Sequence, residues 1–118
     1  MKFFKTLTLL VSIVLFTACS KEDQANNPPN AFTIELKVEG DNLRVNWNAV
    51  TDPDGDEVTY SIYLNETLLD ENFTVSIKRI QYSTLRIGEN TIKVIAKDSK
   101  SASVESSAIF TRSGQTGE

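Results

Sequence analysis

The feature that most restricts this chain is a two-residue apolar rhythm recurring in short stretches between residues 32 and 110. Phe32, Ile34, Leu36 and Val38 alternate with Thr33, Glu35 and Lys37, and Leu43, Val45 and Trp47 alternate with Arg44, Asn46 and Asn48. Val58, Tyr60, Ile62 and Leu64 face one way, with Thr59, Ser61, Tyr63 and Asn65 facing the other. Successive side chains of a strand point to opposite faces, so each stretch predicts a strand with one face buried. Phe73, Val75 and Ile77 predict a further strand, Ile92, Val94 and Ala96 another with Lys93 and Lys97 outward, and Ser106, Ala108 and Phe110 the last. Asn65 to Leu69 predicts a short edge strand.

Turn chemistry separates these runs. Glu39-Gly40-Asp41-Asn42 suits a hairpin and Asp98 to Ser101 a turn. In Thr51-Asp52-Pro53-Asp54-Gly55-Asp56, proline fixes φ at the second turn position and Gly55 accepts positive φ, so the chain can reverse tightly there. Short strands at intervals of roughly 8 to 12 residues, with no helical period, predict an all-β fold. The expected architecture is a seven-stranded, two-sheet sandwich over residues 31–112, with residues 113–118 as a flexible tail. A segment of that length has room for one core only.

The residues also suggest a family. Val45-Asn46-Trp47, then Asp52-Pro53-Asp54-Gly55-Asp56, then Val58-Thr59-Tyr60-Ser61-Ile62-Tyr63 resembles the first half of a fibronectin type III domain. That family has a buried Trp on its second strand, an acid/Pro/Gly loop and a Tyr-x-Val/Ile-Tyr third strand in this order. Leu85, Gly88 and Ile92-x-Val94-x-Ala96 are similar to the family's approach to its sixth strand. Trp47 precedes the loop, which favours this family over antibody-like domains, whose Trp lies on the third strand beside a disulfide. One departure stands out: the tyrosine expected near the start of the sixth strand is missing, with Asn90 in its neighbourhood. The resemblance therefore does not supply that family's corner hydrogen bond, and a looser immunoglobulin-like or cadherin-like sandwich is the alternative.

The N-terminal residues follow different rules. Lys2 and Lys5 precede the apolar stretch Leu7 to Phe16, which closes on the small residues Thr17 and Ala18. This is the layout of a secretory signal, and its 13 residues from Thr6 to Ala18 fall short of a membrane-spanning helix. Phe16-Thr17-Ala18-Cys19 resembles the lipobox of bacterial lipoproteins, with Phe16 where Leu is usual. The resemblance implies cleavage before Cys19, the only cysteine, and lipid on its thiol and amine. A lone cysteine is free for that chemistry because it has no internal disulfide partner. Two or more acyl chains hold a protein stably to a bilayer. Ser20-Lys21-Glu22-Asp23 resembles a short export signal that follows the lipidated cysteine of surface-bound lipoproteins; the alternative is an ordinary solvated linker. Residues 19–30 are thus expected to form the lipidated cysteine and a flexible tether.

Charge and absent residue types narrow the function. Without Lys2 and Lys5 the balance is 10 basic against 16 acidic residues, net −6, which disfavours nucleic acid and anionic headgroups as partners. The sequence has no histidine and no second cysteine, so histidine-dependent triads and Cys/His zinc sites are excluded. Asp52, Asp54, Asp56 and Glu57 share one turn, whereas a glycosidase sets its carboxyls across a cleft. Asp52-x-Asp54-x-Asp56 has the alternation of an EF-hand's first ligands, but Tyr63 stands where the bidentate Glu would be. The loop therefore reads first as a turn, with a calcium site at Asp52, Asp54 and Asp56 as the alternative. Strand parity sends most aromatic rings inward and leaves Tyr63 as the outward ring for ligand contact, with Tyr82 undecided.

The expected protein is a non-catalytic binding or accessory module without an obligate cofactor. It is held in the outer membrane through lipid on Cys19, displayed at the cell surface, and directed at a protein or glycan partner. The alternatives are a periplasm-facing structural subunit of an envelope complex and an accessory lipoprotein of polysaccharide capture.

Overall fold

The computed structural model describes residues 25–114. The expected signal of residues 1–18, Cys19 with the Ser20–Asp23 motif, and residues 115–118 lie outside the described residues. Seven strands form: β1 (Glu35–Glu39), β2 (Asn42–Asn46), β3 (Val58–Leu64), β4 (Thr67–Phe73), β5 (Ile77–Gln81), β6 (Gly88–Asp98) and β7 (Ser103–Arg112). They build a three-stranded sheet in the order β1-β2-β5 and a four-stranded sheet in the order β4-β3-β6-β7, every neighbour antiparallel. The expected seven-stranded, two-sheet sandwich is the fold. Its fourth strand pairs with the third, whereas in a constant-type immunoglobulin domain the fourth strand joins the first two.

The core is the set of alternating residues read from the sequence. Leu43, Val45, Ile62, Ile92, Val94 and Ala96 are fully enclosed between the sheets. Trp47 packs edge-on against Tyr60, ring centroids 5.1 Å apart, and lies near Phe73 and Phe32 at 6.2 and 6.4 Å. Tyr60 is only 3% exposed, so its hydroxyl needs a partner: the Val50 N–H donates to it at 2.9 Å. That bond ties the start of the Asp-rich loop to the core.

Three strand expectations are corrected. Phe73, Val75 and Ile77 do not share a strand: Phe73 ends β4, Ile77 begins β5, and Val75 lies exposed in the connection. Their alternation is accidental, because the chain changes sheet between them. The edge strand expected at Asn65 to Leu69 runs instead from Thr67 to Phe73. Asn65 and Glu66 form the hairpin turn before it, with φ of 49° and 71°, as a two-residue primed turn requires. The first strand begins later than its alternation suggests; Phe32 and Ile34 pack on the core outside the ladder, while Val38 is 48% exposed at the sheet's end.

The facing edges of the two sheets are closed differently. Lys78 pairs across from the buried Val45, and Asp70 across from the buried Ile62, so both point inward. They meet in an ion pair, and the Lys78 ammonium stands 4.8 Å from the centre of the Phe73 ring. Inward charges of this kind also discourage pairing with a foreign strand. The opposite edge is closed by Leu36, Val104 and Phe110, packed on the core.

Candidate functional site

The two ends of β6 each bury one polar residue, Asn90 and Asp98, at 0% and 3% exposure. Asn90, in the neighbourhood of the tyrosine that the family resemblance leads one to expect, ties this corner through bonds of its own. Its oxygen accepts from the Arg86 N–H and the Asn65 side chain, both at 3.0 Å. Its amide nitrogen donates to the carbonyls of Arg86 (2.9 Å), Gly88 (3.1 Å) and, more weakly, Phe110 (3.4 Å). Each polar atom of Asn90 is used, which fixes the approach to β6 against the end of β7.

Asp98 organises the other end. One carboxylate oxygen accepts from the backbone N–H groups of Lys100 and Ala102, both at 2.9 Å, and folds the β6–β7 turn; the other accepts from the Asn26 amide at 2.9 Å. Burial pushes the Asp98 pKa up, but these bonds outweigh it and hold the carboxyl below the ordinary aspartate value.

The Asp-rich loop between β2 and β3 reaches the same end. One oxygen of Asp52 accepts from the Asp54 and Asp56 N–H groups at 2.9 and 3.2 Å, and Gly55, at φ 79°, donates to the Asp52 carbonyl. The expected turn is thus formed by Asp52 itself. The second carboxylate oxygen of Asp52, Oδ1, has no exposed surface and no partner. Asp52, Asp56 and Asp98 each offer an oxygen, and these three lie within 4.8 Å of one another. Among the three expected ligands, Asp54 is diverted: the backbone and side chain of Asn27 donate to it at 2.7 and 3.2 Å. Lys100 donates to Asp56 at 3.2 Å, and this bond together with the Asp56 charge holds the lysine pKa above its ordinary value.

The described part of the expected tether, residues 25–30, lies against this end. Asn26 bonds Asp98, Asn27 bonds Asp54, and the Asn30 amide donates to the Thr51 hydroxyl at 2.8 Å. Pro29 is buried. Asn26 and Asn27, which look like linker composition, are here donors to carboxylates, and Asn30 ties the same segment to Thr51.

Tyr63 lies on the outer face of the four-stranded sheet, half-buried, with the Lys93 ammonium 5.0 Å from its ring centre. Tyr82 sits in a 3-10 turn before β6, edge-on to Phe110 at 6.0 Å and beneath Arg112. Trp47, 4% exposed, is core. Asp98 is the site residue missed at the sequence level, where it read as an ordinary turn residue. The signal was the fold itself, since this strand order brings the β2–β3 and β6–β7 connections to one end.

No protein-family model and no curated protein matches the sequence. Solved structures do. A part of the Clostridium perfringens spore cortex lytic enzyme SleM superposes with a TM-score of 0.60 at 20% identity, over 72% of this chain but only 29% of that one. The PKD1 domain of Vibrio anguillarum Epp matches with a TM-score of 0.57 at 19% identity, over 77% of this chain and 100% of that domain. The PKD domain of an M14-like peptidase from a Thermoplasmatales archaeon matches with a TM-score of 0.57 at 21% identity, over 76% and 100%. The fold is therefore a two-sheet β-sandwich like that of these PKD domains. At these identities the likeness is one of fold, and fold alone does not assign a function.

Proposed function

We propose that this chain is a non-catalytic, lipid-anchored module of the bacterial cell envelope, displayed at the cell surface and acting through binding. The observation that carries this reading is the place of Cys19, the only cysteine, at the junction of a signal-like apolar run and an acidic polar run. Support also comes from the absence of histidine in the whole sequence and from a sandwich architecture that serves many chains as a scaffold for loops and edges. Recognition would use the loop end described above or strand addition at β7, an edge strand of ten residues whose ladder to β6 has no bulge. Polysaccharide capture through Tyr63 is less favoured, because Lys93 stands over that ring.

Protease shaving of intact cells carrying a C-terminally tagged chain tests this. Wild type should lose the tag, a variant with Lys21, Glu22 and Asp23 all changed to Ala should be protected, and Cys19→Ala should leave the membrane fraction. Protection of wild type until lysis would reject surface display and point to a periplasm-facing subunit of an envelope complex.

A further inference from the structure

We infer that the loop end of the sandwich is a site for a calcium-like divalent cation, held by Asp52, Asp56, Asp98 and Asn26, and that filling it clasps the N-terminal segment to the domain. The argument starts from distances. Oxygens on opposite sides of a calcium ion, each bonded at about 2.4 Å, stand about 4.8 Å apart. The three carboxylate oxygens lie within 4.8 Å of one another, so a single ion can reach all of them.

Acidic residues gathered in loops are common, and proximity alone would prove nothing. The second observation is independent of charge. Asp52 Oδ1 and Asn26 Oδ1 are both fully enclosed and both lack a hydrogen-bond partner. An enclosed polar oxygen left in this state is costly, and native structures rarely tolerate it without an ion or water in attendance. Here one such oxygen belongs to Asp52, whose carboxyl stands in the cluster with Asp98, and the other to Asn26, whose amide nitrogen donates to Asp98. At the Asn90 end no comparable oxygen is left over.

The protein's own cations do not complete the site. Lys100 meets Asp56 only, and its side chain stays 60% exposed. It can withdraw into solvent when an ion arrives.

Donor chemistry selects the ion. All four side chains offer oxygen and none offers nitrogen or sulfur to a metal, which suits calcium or magnesium and disfavours zinc or copper. The ligands come from three separate segments of chain: Asn26, the β2–β3 loop and the end of β6. Calcium accepts such adjustable, irregular shells, while magnesium demands a near-ideal octahedron. Turning the Asn26 amide by half a rotation presents its oxygen, now unpartnered, to the ion.

Sequence spacing alone points to an ion within the loop at Asp52, Asp54 and Asp56; the structure replaces Asp54 with Asp98 and adds Asn26. A cation bound there joins the segment preceding the domain to two connections of the sandwich. If Cys19 carries lipid as proposed, the clasp shortens the run between anchor and domain; the cation site itself does not depend on that reading.

The test is calorimetric titration of the full chain in detergent, stripped of metal by chelator, with calcium chloride and then magnesium chloride. Saturable calcium binding is expected, with an affinity near that of extracellular modules, about 10⁻⁴ to 10⁻³ M, and magnesium at least about tenfold weaker. Asp56→Asn should weaken calcium about tenfold or more, because the Asp56 side chain has no role in folding the loop beyond its contact with Lys100. Asp54→Asn should stay within about threefold of wild type. Absence of saturable heat at about 10 mM calcium would overturn the site, as would an Asp56→Asn variant that binds like wild type. Hydrogen exchange separates the clasp from the site: calcium should slow exchange of residues 25–30 in wild type and leave it unchanged in Asp56→Asn. Calcium binding with unaltered exchange there would overturn the clasp.

Discussion

Asn90 and Asp98 occupy opposite ends of one strand, and both are enclosed, yet they solve burial in different ways. Asn90 is neutral, with a donor and an acceptor group, and its surroundings use both. Asp98 only accepts, and the groups beside it include two more carboxylates and an enclosed amide oxygen. One end is a closed polar knot and the other is a polar nest with acceptors to spare. The lesson is that a buried hydrogen-bonded group stabilises a fold by itself when its donors and acceptors balance, and that an excess of acceptors marks a place where something else can bind.

Exchanging the two residue types should break this contrast most strongly. In Asn90→Asp the new carboxylate would face the carbonyls of Arg86, Gly88 and Phe110 without a proton to offer. Unfolding by denaturant should show a loss of about 3 kcal/mol or more. A loss under about 1 kcal/mol would mean that the corner rearranges and is not a knot at all.

Tyr60→Phe comes next. It removes the acceptor for the Val50 N–H and should cost about 1 to 2 kcal/mol in the same measurement. Because that bond holds the start of the Asp52 loop, calcium affinity should fall too, although no ligand is altered.

Asp98→Asn should disturb the calcium-free fold far less than the reverse exchange at Asn90. The amide oxygen can keep the Lys100 and Ala102 N–H bonds, and the new NH₂, which replaces the oxygen that accepts from Asn26, can donate to the enclosed Asn26 oxygen once that amide turns over. The melting temperature in chelator should therefore hold or rise, while the response to calcium disappears.

The smallest effect belongs to the edge ion pair. Hydrogen bonding to Lys78, then the Glu71 N–H, holds the Asp70 pKa below its ordinary value. A depressed native pKa stabilises the fold above the unfolded value of about 4, and that contribution is lost as pH falls through the native pKa. Asp70→Asn should lower stability slightly at pH 7 and flatten the acid side of a pH-dependent melting series; an unchanged acid slope would show that the pair is decorative.

How much of this could be read from the sequence differs between regions for physical reasons. β2, β3, β6 and β7 were legible because each has one buried and one solvated face, which imprints a two-residue period. β5 was not, because its inward position at Lys78 carries a charged residue, whose ammonium is answered by Asp70 at the facing sheet edge. The Asp52 turn was legible from local chemistry alone. The acidic cluster was only half legible, since Asp98 and Asn26 join Asp52 and Asp56 through tertiary folding and no local spacing records that meeting. Asn90 was noticed as a departure from a family pattern, but its role depends on five hydrogen bonds to four residues, one of them on β7.

The most direct test of the contrast between the two ends is a backbone amide NMR spectrum of the uniformly ¹⁵N-labelled protein recorded across a calcium titration. Saturable shifts are expected at Asn26, Asp52, Asp54 to Asp56 and Asp98 to Ala102 only, with Arg86 to Thr91 unmoved. Shifts scattered over the acidic surface, or an unchanged spectrum, would contradict that contrast.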